Sequence, residues 1–179
     1  SALNSFNLMP EGFNDHEAGY DLIAYNTPVD KDREELMLSV NKKFSIQFYY
    51  TFPKDFYSKI KALSIPITFN FSGEKFLNSI QNKNQKEIHI NLYHNQCEFF
   101  AIYDKKVILY NNLDVNSEVD FLYFVMFTLS KIGFGINETK FFAYGETTEN
   151  ETFISELQKF VKNLKIVFDN LPNKNFILN

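Results

Sequence analysis

The chain has 179 residues, with 18 lysines and arginines against 22 aspartates and glutamates, and 17% aromatic residues including 21 phenylalanines and no tryptophan. A formal net charge of −4 argues against binding along a nucleic-acid backbone, which needs a concentrated positive surface. With 45% hydrophobic and 22% charged residues the chain is not disordered. One cysteine rules out an internal disulfide and fits a reducing compartment. No apolar run reaches the ~18 residues of a membrane helix, and no basic stretch with an apolar core opens the chain. The cytoplasm is the expected location, with neither membrane nor nucleic acid as a partner.

In chain order, Leu3 to Met9 reads as a short strand stopped by Pro10, and Asn14 to Asn26 as a helix weakened by Gly19. Thr27 to Glu35 is a polar loop, and a strand is expected over Leu36 to Leu38. A clearer one covers Ser45 to Tyr50, where Ile46, Phe48 and Tyr50 alternate with Ser45, Gln47 and Tyr49. Pro53 suits the first turn of a helix reaching Leu63. Ile67, Phe69 and Phe71 alternate as a strand would, and Gly73 to Gln81 is helical. The polar run Asn82-Lys83-Asn84-Gln85-Lys86 is the best boundary, dividing the chain into modules 1–81 and 87–179.

The second module is the better defined. Ile88, Ile90 and Leu92 alternate with His89, Asn91 and Tyr93. Cys97 to Tyr103 and Val107 to Tyr110 continue an antiparallel meander through turns at Asn95 and at Asp104-Lys105-Lys106. Ser117 with Asp120 three residues on marks a helix start. Val119, Leu122, Val125, Met126, Leu129 and Ile132 stripe that helix, and Phe121, Phe124 and Phe127 make it apolar beyond one face. Lys140 to Tyr144 is a strand, Thr148 and Glu151 open a second helix, and Leu164 to Phe168 is the last strand. The order strand-strand-strand-helix-strand-helix-strand implies a mixed sheet in an α/β (mixed α+β) protein, its helix-linked strands parallel.

That order, preceded by what reads as the tail of a similar unit, is similar to the actin/hexokinase/Hsp70 ATPase architecture, a ribonuclease H-like fold. The block Val107-Ile108-Leu109-Tyr110-Asn111-Asn112, the helix start Asp120-Phe121-Leu122-Tyr123-Phe124 and Phe141-Phe142-Ala143-Tyr144-Gly145-Glu146 resemble DUF3822, a Bacteroidota family of unknown function. The resemblance covers essentially the whole chain and implies a degenerate actin-like ATPase fold, with module 1–81 lacking its opening meander. Active ATPases of this architecture carry an Asp-x-Gly loop in the first hairpin of each module, where glycine admits backbone N–H groups to phosphate. Here the hairpin reads Tyr93-His94-Asn95-Gln96-Cys97, with neither Asp nor Gly. If a nucleotide is bound, Asn95, Gln96 and Gly145 are the candidate contacts, and the chain would be an ATPase or phosphotransferase whose catalytic half lies upstream.

No residue set makes a catalytic constellation, and no cofactor is expected. His89 and His94 project to opposite faces of a strand, too few ligands for a metal even with Cys97. Asp104, Asp114, Glu118 and Asp120 read as loop and capping acids. The aromatic surplus has two outlets, packing between the modules or contact with another chain. The expected function is therefore a non-catalytic module acting by protein–protein interaction or self-association, through Phe48, Tyr50, Phe121, Phe124 and Phe127.

Overall fold

The computed structural model describes residues 5–93, 96–145 and 147–167. The chain divides into two compact units, Ser1–Ile80 and Gln81–Asn179.

The first unit is a three-stranded antiparallel sheet of β1 (Phe6–Pro10), β2 (Glu34–Asn41) and β3 (Ile46–Pro53), in the order β1-β3-β2. Helix α1 (His16–Ala24) starts at Asp15, whose side chain accepts from the Ala18 N–H, satisfying one of the orphan donors of a helix start. It packs Tyr20 and Ile23 against Leu36 and Tyr49. Gly19 makes that approach possible, because a Cβ there would lie 2.8 Å from Leu36 Cδ2. The glycine that weakens the helix in isolation is what lets it dock.

Phe71 gathers the rings of Phe6, Phe48 and Tyr50 at centroid distances of 5.2, 5.1 and 5.3 Å. Helix α3 (Ser72–Ser79) then buries Phe76 and Leu77. Helix α2 (Lys54–Ala62) follows β3 directly, and none of its nine residues is buried.

Two expectations for this unit change. The short strand over Leu36 to Leu38 is the eight-residue β2, because Glu34 accepts from the Thr51 hydroxyl at 3.0 Å and joins the ladder despite its charge. The strand over Ile67 to Phe71 is not formed. Its alternating rings pack instead, Phe69 against Phe52 and Tyr57, and the Phe71 N–H donates to the Ser39 Oγ at 2.7 Å.

The second unit holds a five-stranded sheet in the order β6-β5-β4-β7-β8. Its strands are β4 (Glu87–Tyr93), β5 (Gln96–Tyr103), β6 (Lys106–Asp114), β7 (Lys140–Gly145) and β8 (Leu164–Ile166). β4, β5 and β6 form an antiparallel meander, while β7 runs parallel to both β4 and β8. The β5–β6 turn has Asp104 at φ 50° and Lys105 at φ 58°, the double left-handed geometry of a type I′ hairpin.

Helix α4 (Glu118–Ile132) links β6 to β7, its Ser117 Oγ accepting from the Asp120 N–H at 3.1 Å. Helix α5 (Thr147–Gln158) links β7 to β8. Both supply the core of one sheet face, where Phe121, Val125, Leu129, Ile154 and Leu157 meet Ile88, Ile90 and Leu92. The order of elements along the chain and the strand directions are those expected from the sequence. The expected contributions of Asn95, the Thr148 side chain and Phe168 lie outside the described residues.

Candidate functional site

The other face of the second sheet carries a buried polar cluster among apolar and aromatic neighbours such as Phe100 and Ile102. Because β4 puts Ile88, Ile90 and Leu92 into the helix-covered core, its alternation turns Glu87, His89, Asn91 and Tyr93 the opposite way. Glu87, His89, Asn91 and Glu98 are each at most 2% exposed. Glu87 accepts from the side chains of Asn82 at 2.8 Å and Gln85 at 2.7 Å, and lies 3.2 Å from His89 Nε2. His89 Nδ1 is 2.9 Å from the Tyr144 hydroxyl, and the imidazole stacks on Phe142 with centroids 4.8 Å apart. A carboxylate can only accept, so Nε2 carries the proton toward Glu87 and Nδ1 accepts from Tyr144.

Burial drives His89 below its ordinary pKa, partly offset by Glu87, so at neutral pH the contact is a hydrogen bond and not an ion pair. Burial pushes Glu87 up, but hydrogen bonds from His89, Gln85 and Asn82 outweigh it and hold the carboxyl below its usual value. Glu98 goes the other way. Burial raises it, although Asn91 at 3.1 Å and the Tyr110 hydroxyl at 2.9 Å both donate to it. Tyr93, raised to about 12 chiefly by burial, accepts from the Asn112 amide at 3.3 Å. Each acid on this face is thus held by neighbours within the unit. Among the described residues no group of three or more His, Cys, Asp or Glu side chains could hold a metal ion.

Of the residues expected to touch a nucleotide, Gly145 and Gln96 lie at the carboxyl end of β4, and Asn95 lies outside the described residues. Gly145 pairs with Leu92 and takes φ +100°, where a Cβ would fall 1.9 Å from the Leu92 carbonyl oxygen. That position is closed to any other residue by backbone contact alone. Gln96 pairs with Tyr93 across the hairpin and donates to Asp114 at 3.2 Å. The ladder continues to the Tyr93–Gln96 pair, which leaves only His94 and Asn95 between the strands; both lie outside the described residues. Cys97 is buried and its thiol pKa is raised by that burial, the reverse of a reactive thiol.

The expected aromatic surface separates into an inside and an outside. Phe121 has no exposed area and meets Phe153 edge-on at 5.6 Å. Phe48 is equally buried, and Tyr50 nearly so. These three are core residues and leave the surface, because the turn of α4 and the pleat of β3 point them inward. Phe124 is half-buried against Phe99 at 5.2 Å.

Phe127 stays outside, 48% exposed, and lines up with Tyr123 at 66% and Val119 at 76%. At i, i+4 and i+8 these three form one ridge along α4, with Tyr123 and Phe127 stacked at 5.8 Å. Beside the ridge runs an open groove of about 560 Å³ between α4 and α5, apolar through Val119 and Leu122 and acidic through Glu118, Glu151 and Glu156.

The model of a family described as "Protein of unknown function (DUF3822)" matches residues 2–164. The chain belongs to the DUF3822 family. No curated protein matches it in sequence.

Among solved structures, this DUF3822 chain is similar to a Bacteroides thetaiotaomicron protein of actin-like ATPase fold and unknown function. The TM-score is 0.80 at 16% identity, over 92% of this chain and 65% of that one, so the chain spans just under two thirds of that neighbour's length. At this identity the likeness shows the fold, which is the actin-like ATPase fold. More distant likenesses are to a chain of the PilM–PilN type IV pilus biogenesis complex and to Archaeoglobus fulgidus Pelota. The first has TM-score 0.49 at 11% identity, covering 96% of this chain and 70% of that one. The second has TM-score 0.36 at 9% identity, covering 74% and 37%. No helix among the described residues is long and apolar enough to cross a membrane.

Within the DUF3822 chain, sequence reasoning missed Glu87, Glu98 and Tyr144. The acids singled out in the sequence, Asp104, Asp114, Glu118 and Asp120, lie in the β5–β6 turn, at the end of β6 and at the start of α4. The signal was present in the strict alternation of β4, which offers two faces, and in Asn91 and Glu98 standing opposite one another across the hairpin.

Proposed function

We propose that this DUF3822 chain is a non-catalytic actin-like module that binds another protein chain through α4 and the groove beside it. The observation that carries the reading is the ridge of Val119, Tyr123 and Phe127, three large apolar side chains left in water on successive turns of one helix. Covering even 200 Å² of such surface removes about 5 kcal/mol of unfavourable hydration, before association costs are subtracted.

Three features favour binding over nucleotide chemistry. The hairpin that would present a phosphate loop leaves two residues between its strands, with no aspartate or glycine. Gly145 is pressed against the Leu92 carbonyl, where a Cβ would fall 1.9 Å from the oxygen, so its being glycine has a packing reason. Glu87 and Glu98 are held by hydrogen bonds to neighbours. On this reading residues 1–81 are an actin-like module without its opening meander, and the protein works in the cytoplasm.

The test is site-specific photo-cross-linking in the host cell, with the cross-linker in place of Tyr123 and, as a control, in place of Lys105 on the β5–β6 turn. A discrete cross-linked product is expected from position 123 and not from 105. No product at 123, or equal products at both, would remove the reading.

A further inference from the structure

Helix α2 is the unexplained element of the first unit. Phe56, Ile60 and Leu63 stand at i, i+4 and i+7, the apolar stripe of a helix that should be covered. Yet α2 buries none of its residues, with Phe56 56% and Leu63 62% exposed. Contacts of Phe56 and Tyr57 with Phe52 and Phe69 hold the helix to β3 by one edge and leave the rest in water. Its last turn carries Lys59 and Lys61, both exposed. With Lys54 and Asp55, the helix has a net charge of +2.

The α4–α5 groove is the complement in each respect. It is open and apolar along Val119 and Leu122, and it is rimmed by the carboxylates of Glu118, Glu151 and Glu156. Glu151 is exposed, and Glu156 pairs with Lys159. Resting on the reading of this groove as a binding surface, we propose that its occupant is α2 of a second copy of the same chain. The stripe of Phe56, Ile60 and Leu63 lies along the ridge of Val119 and Tyr123. Lys59 and Lys61, on opposite flanks of the stripe, reach the glutamates on the two walls of the groove, Glu118 on α4 and Glu151 and Glu156 on α5. Two different patches meet in such a contact, so a pair of copies still has one α2 and one groove free between them and association continues head to tail.

A nine-residue helix is about 13 Å long, and what it can cover falls short of a standard-sized interface. The contact is therefore weak, visible at ~100 µM and above, and it weakens with added salt because its specificity is ionic.

Sedimentation equilibrium on two charge-reversed variants and on their mixture tests this. Lys59→Glu/Lys61→Glu makes α2 acidic against an acidic groove, and Glu151→Lys/Glu156→Lys makes the groove basic against a basic α2. Each variant alone is expected to sediment as a monomer at ~300 µM, its association constant at least tenfold below the parent's. The equimolar mixture is expected to associate again, since both α2–groove pairings between unlike variants are then complementary. The restored association also shows that both variants are folded; if reversal unfolds either, Lys59→Gln/Lys61→Gln must still lower the association constant. A monomeric parent, variants that associate like the parent, or a mixture that stays monomeric would each overturn self-docking. Cross-linking at position 123 separates this from failure of the groove itself. A product containing only this chain supports self-docking, a product with a different protein defeats it while leaving the groove a binding site, and no product defeats both.

Discussion

His89 lies between a carboxylate that accepts its proton and a tyrosine that donates to it, with its ring flat against Phe142. Only the neutral imidazole satisfies both partners, and burial lowers its pKa from 6.5. Between the lowered folded value and about 6.5 the unfolded chain binds a proton that the folded chain does not. This contribution to stability is complete above ~6.5 and is lost as the pH falls through that window. Glu87, held low, protects stability above its unfolded value of 4.5 and loses it only at more acid pH. Glu98, held high, acts with the opposite sign, costing stability as the pH rises through its folded value.

Between pH 7.5 and 5.5 the thermal midpoint of the parent is therefore expected to fall relative to that of His89→Gln, Glu98 acting alike in both. Equal changes in the two proteins would mean that the imidazole contributes nothing to the pH dependence. None of this was legible in the residues alone. Alternation in β4 reads as one dry and one wet face, and a strand covered on both sides can carry the same pattern when its polar side chains satisfy one another.

Phe121, Phe124 and Phe127 look interchangeable in the sequence, yet they sit at steps of three along α4 and fall progressively around the helix. The first is sealed, the second half-buried, and the third faces water. Sequence pattern showed that α4 has more apolar surface than one sheet face needs; it could not show which ring leaves the core, because that depends on how the helix is rotated over the sheet. Phe121→Ala is expected to cost about 3–5 kcal/mol, the range for deleting a buried phenylalanine. Phe127→Ala should change stability by less than ~1 kcal/mol, since it leaves no cavity. Denaturant titration of both variants decides this, and similar losses would place Phe127 in the core.

Local chemistry was easier to read. The Ser117 cap appeared where the spacing put it, because caps depend on neighbours three residues away. The strand expected over Ile67 to Phe71 failed because alternation records which rings pack, whereas a strand also needs a partner edge to bond with.

At the scale of the molecule, the antiparallel meander and the parallel sense of the helix-linked strands could be read from element order alone, whereas the lateral order β6-β5-β4-β7-β8 comes from the structure. The family model and the actin-like fold of the Bacteroides protein match this chain over most of its length. Function was less legible, because a fold of this kind hosts many activities and the residues at the site must decide. Those residues describe a glycine pressed against Leu92 at the sheet end, with open apolar surface elsewhere, on α4. The central claim is that this actin-like fold serves binding and not nucleotide chemistry. Isothermal titration with ATP and Mg²⁺, followed by a phosphate-release assay on the same sample, tests it most directly. The account predicts no saturable heat up to ~1 mM nucleotide and phosphate release at the buffer rate. Saturable binding weakened by Gln96→Ala, or turnover above background that the same substitution abolishes, would contradict it.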